Sequence, residues 1–124
     1  MSASRKDIAL SFLRAAAAGS VREAYQKHVA PNFRHHNAYF PGDADSLMRG
    51  MEENAAKNPT KVLEVQRALE DSDFVAVHSR LRMKPGDRGV TVIHIFRFQG
   101  DCIVELWDVG QPVPESSPNE NGMF

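Results

Sequence analysis

The stretch of sequence that decides the fold of this chain covers residues 92–115 and reads VIHIFRFQGDCIVELWDVGQPVPE. Two runs rich in β-branched and aromatic residues flank the turn segment QGD at residues 99–101, and this pattern predicts an antiparallel hairpin. The second run nevertheless contains Asp108, although aspartate is depleted in strands and its charge is costly to bury without a partner. The question is why this strand carries a carboxylate near its end.

The second half of the chain as a whole reads as four strands. The runs lie at residues 61–69, 74–83, 90–98 and 102–109, and they are separated by the turn segments EDSD, KPGDRG and QGD. Because no helical pattern lies between them, they predict an antiparallel meander.

The first half of the chain reads as three helices. The first begins with a capping box at Ser4 and ends at Gly19, the second ends at Val29 before Pro31, and the third covers about residues 45–57. Helices followed by strands predict an α+β domain in which the helices pack on one face of the sheet.

Length and composition agree with one domain over residues 1–124, with an irregular tail at 112–124. The chain carries 15 Lys and Arg against 16 Asp and Glu and shows no basic stripe, which argues against nucleic-acid binding. The single Cys102 excludes an internal disulfide. Because no apolar run approaches the length of a membrane span and no signal-peptide core is present, a cytoplasmic protein without a membrane partner is predicted.

Apolar residues occur on both faces of the predicted sheet. In the second strand Val75 and Val77 share one face, whereas Phe74 and Ala76 share the other. An antiparallel sheet with one solvated face alternates between apolar and polar residues, and three short helices cover only one face. The uncovered apolar face therefore predicts a homodimer that forms through the sheet.

Five polar residues fall where the pattern predicts a core or a pocket: His36, His78, His94, Asp108 and Gln111. An incompletely filled space between helices and sheet would form an apolar pocket with a few polar groups, the general form of a small-molecule site. A carboxylate desolvated in such a pocket becomes a better proton acceptor, and a nearby histidine can relay a proton or polarise a carbonyl. These groups suffice for proton abstraction beside a carbonyl.

The register of the QGD hairpin decides whether His94 and Asp108 face the same way. A two-residue turn at Gly100 and Asp101 would pair His94 with Trp107. A three-residue loop with a bulge, from Gln99 to Asp101, would instead place His94 opposite Leu106 and on the side of Asp108. The sequence leaves both registers open.

Each candidate residue also has a simpler interpretation. Asp108 could cap the turn at Gly110 or pair with an arginine, and the histidines could be hydrogen-bonded core residues. A metal site built from His36, His78 and His94 lacks the spacing of a known ligand motif. There is no glycine-rich phosphate loop and no nucleophile motif, so neither a metal nor an organic cofactor is predicted.

Four segments resemble the SnoaL-like proteins of the nuclear-transport-factor-two-like superfamily, whose fold ketosteroid isomerases also use. The segments are FRHHNA at 33–38, DFVAVHSRL at 73–81, the hairpin at 92–115 and NENGMF at 119–124. The resemblance spans nearly the whole chain. It implies a cone-shaped, curved antiparallel sheet wrapped around the N-terminal helices, with an internal cavity and often a sheet-to-sheet dimer. SnoaL itself is a polyketide cyclase that closes a ring by aldol condensation without a cofactor.

The resemblance also assigns site residues. The family's acid/base aspartate falls on Asp108, and the histidine of its usual Q-H-N-P segment falls on His36. The chain departs from the family at Leu106, where many relatives have a histidine, and at His94, where they often have an aspartate. His35 and Ala38 likewise replace the usual glutamine and proline. These changes bear on the identity of the substrate.

Two functions are therefore predicted as alternatives. The first is an enzyme that acts on a small apolar carbonyl compound by aldol condensation, cyclisation or isomerisation. Its catalytic residues would be Asp108 and His36, and its substrate-binding residues would be His94, His78, Phe96, Leu106 and Gln111. The second is a non-catalytic, ligand-binding dimer of the same fold. A further hypothesis is that residues 119–124 reach across the dimer and close the neighbouring pocket.

Overall fold

The computed structural model describes residues 3–124, which form three helices and one five-stranded sheet. The helices are α1 (Arg5–Ala17), α2 (Val21–His28) and α3 (Ala44–Lys57), and the strands are β1 (Val29–His35), β2 (Val62–Asp71), β3 (Phe74–Arg82), β4 (Val90–Gln99) and β5 (Cys102–Pro112). The predicted α+β class and the curved sheet with helices on one face are confirmed. Within residues 3–124, no helix has the length and apolar character needed to cross a membrane.

Two of the helices begin at side-chain caps. Ser4 Oγ accepts a hydrogen bond from the backbone N–H of Asp7 at 3.1 Å, as the capping pattern predicts. Asp43 caps α3 in the same way, with its carboxylate accepting from the N–H of Ser46 at 2.9 Å. Both caps satisfy backbone donors that have no partner within the helix.

The first strand, β1, was not predicted from the sequence. Pro31 was interpreted as the end of a helix through Val29, but α2 ends at His28 and the chain continues at once as a strand. β1 lies at the edge of the sheet, where a proline without an N–H is tolerated. The expectation of a helix through Val29 is therefore wrong.

The sheet has the order β1-β5-β4-β3-β2 and is mixed rather than wholly antiparallel. Strands β2 to β5 form the predicted antiparallel meander, whereas β1 pairs parallel with β5. A parallel pair needs a long crossover, and here α3 and the three intervening strands supply it. The prediction of an entirely antiparallel sheet is corrected by this one edge strand.

The hairpin between β4 and β5 combines features of both predicted registers. Its turn has two residues, because Gln99 pairs with Cys102, but Val104 forms a β-bulge that inserts one extra residue into β5. The bulge shifts the later pairs by one position and places Asp108 directly opposite His94. His94 therefore pairs with neither Trp107 nor Leu106, the two partners that the sequence left open, but it shares one face with Asp108, as the bulged register predicts.

That shared face, the inner face of the sheet, packs against the helices. Phe96 at its centre is fully buried, and its ring meets the ring of Phe12 on α1 edge-to-face at a centroid distance of 5.9 Å. Val75 and Val77 on β3 are also fully buried. Burial of such side chains contributes about 1.5–3 kcal/mol each relative to exposure, so this contact layer supplies the main stabilisation of the domain.

The outer face of the sheet is covered only in part. The segment after β5 folds back over it, and Phe124 stacks on His78 and lies over the guanidinium of Arg80 at 4.8 Å. The end of NENGMF thus contacts the outer face of its own sheet. Elsewhere on this face the large apolar side chains Phe74 and Ile95 are 40% and 37% exposed.

Candidate functional site

A pocket with a volume of about 270 Å³ opens between the helices and the inner face of the sheet. Its walls are mostly apolar and include Phe12, Leu13, Leu47, Met51, Leu63 and Leu81. The polar side chains that line it are Asn37, Asn54, Lys61, His94 and Asp108. An apolar cavity with a few convergent polar groups has the character of a small-molecule site.

Asp108 lies on the pocket wall and is half-buried. Its Oδ2 accepts a hydrogen bond from the side-chain amide of Asn37 at 3.0 Å. No ion pair to Asp108 is found among residues 3–124, so the alternative of an arginine partner does not apply within them. The carboxylate therefore faces an apolar cavity and is held by a neutral donor.

Asn37 is itself held in place by the loop after β1. Its backbone N–H donates to Nδ1 of the buried His35 at 3.0 Å, and its side-chain oxygen accepts from the N–H of Tyr39 at 3.0 Å. Because Nδ1 of His35 is an acceptor, Nε2 carries the proton and donates to the carbonyl of Pro41 at 2.6 Å. These bonds orient the Asn37 amide so that its NH₂ group points to Asp108.

His94 lines the pocket directly opposite Asp108 in the sheet. Burial lowers the pKa of His94 to about 4, although the neighbouring charge of Asp108 acts in the opposite direction. At neutral pH the imidazole is therefore uncharged. Its Nδ1 is buried and has no hydrogen-bond partner among the described residues, an arrangement that is costly unless a ligand or water satisfies it.

Three of the predicted site residues lie on the outer face instead. His36 Nε2 donates to Glu105 Oε2 at 2.6 Å, and its ring stacks on Trp107 with ring centroids 4.9 Å apart. His78 contacts Thr91 at 2.8 Å, and Gln111 is exposed opposite Thr91. Because successive strand residues alternate between faces, His35 points inward and His36 outward.

The remaining two predicted residues lie on the inner face. Leu106 lines the pocket, whereas Phe96 belongs to the core behind it. The structure thus brings Asp108, His94 and Leu106 to the pocket, and it does not bring His36, His78 or Gln111 there. The three histidines considered as metal ligands are also divided between the two faces, and within residues 3–124 no group of three potential His, Cys, Asp or Glu ligands comes together.

Three polar pocket residues were not identified from the sequence as site residues: Asn37, Asn54 and Lys61. Asn37 follows His36, and alternation along an extended segment indicates that the two side chains point opposite ways, but the sequence does not say which one shares the face of Asp108. Lys61 precedes β2, and burial lowers the pKa of its ammonium group. Its Nζ donates to the side-chain oxygen of Asn54 on α3.

A separate ionic cluster lies on the outer face around Glu105. Its side chain is only 4% exposed and accepts hydrogen bonds from Arg34 and Arg97, both at 2.9 Å, and from His36. Burial alone would raise the pKa of Glu105, but the bonds from His36, Arg34 and Arg97 outweigh it and lower the pKa to about 2. The cluster joins β1, β4 and β5 and therefore has a structural role.

The sequence model of the SnoaL-like domain matches residues 9–106 of this chain. No curated protein matches the chain with significant similarity.

Solved structures with the same fold include IdmH from Streptomyces antibioticus, a putative polyketide cyclase. It is 20% identical, has a TM-score of 0.72, and the match covers 88% of this chain and 93% of IdmH. A putative ketosteroid isomerase from Kribbella flavida is 16% identical, with a TM-score of 0.74 and coverage of 93% and 83%. AclR, a putative hydroxylase from Streptomyces galilaeus, is 22% identical, with a TM-score of 0.73 and coverage of 87% and 79%. At these identities the similarity shows the fold alone.

Proposed function

Because this chain belongs to the SnoaL-like domain family, we propose that it is an enzyme that performs cofactor-independent acid/base chemistry on a carbonyl compound. The reaction class is aldol condensation, cyclisation or isomerisation. The observation that carries the proposal is the position of Asp108, which faces an apolar pocket, accepts from the neutral Asn37 amide and lies opposite His94.

In this proposal Asp108 acts as the general base. It takes a proton from the carbon next to the substrate carbonyl, so that the C–H bond breaks and its electron pair moves through the new C=C bond onto the carbonyl oxygen. Asn37 keeps the carboxylate pointed at the pocket through Oδ2. The same proton is then returned to carbon in an isomerisation, or to the new alkoxide oxygen in an aldol reaction.

His94 is the candidate donor to the enolate oxygen. Its pKa of about 4 keeps the imidazole neutral, and a neutral imidazole still has one N–H to donate. A donor fixed in a water-poor pocket stabilises developing negative charge more strongly than water does. His94 is the candidate here rather than His36, the predicted catalytic histidine, because His36 is bonded to Glu105 on the other face.

The proposal is tested by hydrogen–deuterium exchange at a carbonyl compound. We expect the protein to accelerate deuterium incorporation into the methyl group of 2-acetylnaphthalene in D₂O, followed by proton NMR. Exchange at the buffer rate together with saturable binding of the ketone would contradict the enzyme and favour the alternative, a ligand-binding protein of the same fold. The control is the variant Asp108→Asn under the same conditions.

We further propose that the protein is a homodimer that forms through the outer face of the sheet. The support is the partly exposed apolar surface of Phe74, Ile95 and Val109, which lies on the face that the helices do not cover. Monomeric proteins rarely expose large contiguous apolar patches. Two sheets can pack face to face with their side chains interdigitated, so the exposed side of this sheet can receive a second copy.

This assembly is checked by sedimentation at micromolar concentration. We expect a dimer for the natural chain and a monomer for Ile95→Glu, because each interface would contain two copies of the buried charge. Tyr39→Glu is the comparison variant, since Tyr39 is 90% exposed in the loop after β1 and lies outside the sheet. A monomer for the natural chain would refute the proposed dimer.

A further inference from the structure

Lys61 forms a second polar end of the pocket, away from Asp108. It precedes β2 and lines the cavity together with Asn54 of α3 and the apolar side chains Leu63 and Met83. Its Nζ donates to the side-chain oxygen of Asn54, a neutral group. Among residues 3–124, no carboxylate forms an ion pair with Lys61.

The ammonium group of Lys61 is therefore incompletely compensated. It carries three N–H donors and one positive charge, and the neutral Asn54 satisfies only one of these donors. Partial burial of the charge lowers the pKa of Lys61, with no opposing charge to raise it. A cation in such surroundings is stabilised when an anion with oxygen acceptors enters the pocket, because charge-assisted hydrogen bonds are about twice as strong as neutral ones.

The register of the sheet separates the two polar ends. Leu63, next to Lys61 on the pocket wall, pairs with Leu81 on β3, whereas Val77 on β3 pairs with His94. Leu81 lies four residues from Val77, which is roughly 13 Å along a strand. A molecule that reaches both ends is therefore longer than a single ring.

We propose that the ligand of this pocket carries, at the end remote from its reacting carbonyl, an anionic oxygen group that Lys61 and Asn54 bind. The group is a carboxylate or an ionised phenol on an otherwise apolar skeleton of at least two rings. This inference rests on the proposed function, which places the reacting carbonyl beside Asp108 and His94. It adds a specificity residue, Lys61, to a site otherwise defined by proton transfer.

The test compares three matched probes: 6-acetyl-2-naphthoate, 6-acetyl-2-naphthol and 2-acetylnaphthalene. Their dissociation constants are measured by calorimetry at pH 7 for the natural chain, Lys61→Met and Lys61→Arg. We expect the natural chain to bind the naphthoate roughly tenfold more tightly than 2-acetylnaphthalene, the size of one charge-assisted hydrogen bond. Methionine has a similar length without the charge, so it should remove this preference, and arginine should keep it.

The pH dependence gives an independent readout. Lys61 binds an anion only while it is protonated, so the preference for the naphthoate falls as the pH rises through the lowered pKa of Lys61. In Lys61→Arg the preference persists over the same range, because the guanidinium stays charged. If 6-acetyl-2-naphthol binds more tightly than 2-acetylnaphthalene only above the pKa of its phenol, then Lys61 also accepts an ionised phenol.

The outcomes separate this inference from the proposed function. The inference about Lys61 is overturned if Lys61→Met weakens the binding of all three probes equally, if the natural chain does not prefer the naphthoate, or if none of the probes binds saturably. Circular dichroism and thermal melting of each variant show whether it folds, and Lys61→Arg reports on the site even if Lys61→Met does not fold. If the Asp108→Asn variant exchanges deuterium as fast as the natural chain, the proposed proton transfer by Asp108 is refuted. A preference for the naphthoate that depends on the charge of Lys61 would then still support an anionic group bound at Lys61.

Discussion

Replacement of Asp108 by asparagine will lower the rate of deuterium exchange at the carbonyl probe by roughly two to four powers of ten. The reason is chemical, because an amide has nearly the same shape as the carboxylate but cannot accept the proton. Asn37 can still hydrogen-bond to the side-chain oxygen of the new residue, so the loop after β1 keeps its contact with β5. The measurement is the initial rate of exchange by NMR at matched protein concentration.

The matched control for this variant is Asp101→Asn. Asp101 is exposed in the turn of the same hairpin and does not line the pocket, so the identical chemical change should leave the exchange rate unaltered. Thermal unfolding of both variants should resemble that of the natural chain. Full exchange activity in Asp108→Asn would remove Asp108 from the role of base, whatever the affinity for the ketone.

Replacement of Glu105 by glutamine will have the larger effect on folding. The carboxylate accepts from Arg34, Arg97 and His36, and glutamine replaces one of its two oxygen acceptors by a donor. We expect the free energy of unfolding at pH 7 to fall by about 1–3 kcal/mol, the usual cost of an unsatisfied or mismatched buried hydrogen bond. Urea denaturation followed by circular dichroism measures this difference.

The contribution of the Glu105 carboxylate to the free energy of unfolding will also decrease as the pH is lowered. The pKa of Glu105 is lowered from 4.5 to about 2 in the folded protein, because the bonds from its three partners outweigh burial. A group with a depressed pKa stabilises the fold fully above its unfolded value, and this contribution is lost as the pH falls from about 4.5 toward 2. The natural chain and Glu105→Gln should therefore differ most at neutral pH and converge near pH 2.

Glu53→Gln is the control for this prediction. Glu53 forms an exposed ion pair with Lys57 one turn away on α3, and such pairs contribute only about 0.3–0.5 kcal/mol. Its loss should change the unfolding free energy little at any pH. Equal effects of the two substitutions would show that the buried cluster around Glu105 has no special role in holding β1 to the sheet.

Much of the architecture follows from local patterns in the sequence. The four strands of the meander and α3 occur close to their predicted positions, because their turns and apolar periods are strong. The strand β1 escaped prediction because it follows α2 without a turn and contains Pro31. Its parallel partner is more than 60 residues away, and a contact of that kind leaves no local signal.

The site was predictable only where a local sequence pattern marked the residue. Asp108 was identifiable as a carboxylate within an apolar strand, and the structure places it on the pocket wall. The orientation of His36 depends on the path of β1, which was not predicted, so its assignment to the pocket could not be checked from the sequence. Lys61 gave no signal because a lysine before a strand is usually solvated, and its burial arises from packing against α3.

The bulge at Val104 makes the residue count of β5 a determinant of what the pocket contains. Deleting Val104 would remove the bulge but leave Asp108 opposite His94, so the later side chains would keep their faces. Inserting one residue between Leu106 and Trp107 would instead turn Trp107 toward the helices and Asp108 outward. Deleting one residue from the loop between β3 and β4 would reverse no strand. For anyone who redesigns this chain, a change of one residue is therefore tolerated in the loop between β3 and β4 and at the bulge, whereas an insertion after the bulge exchanges interior and exterior in the rest of β5.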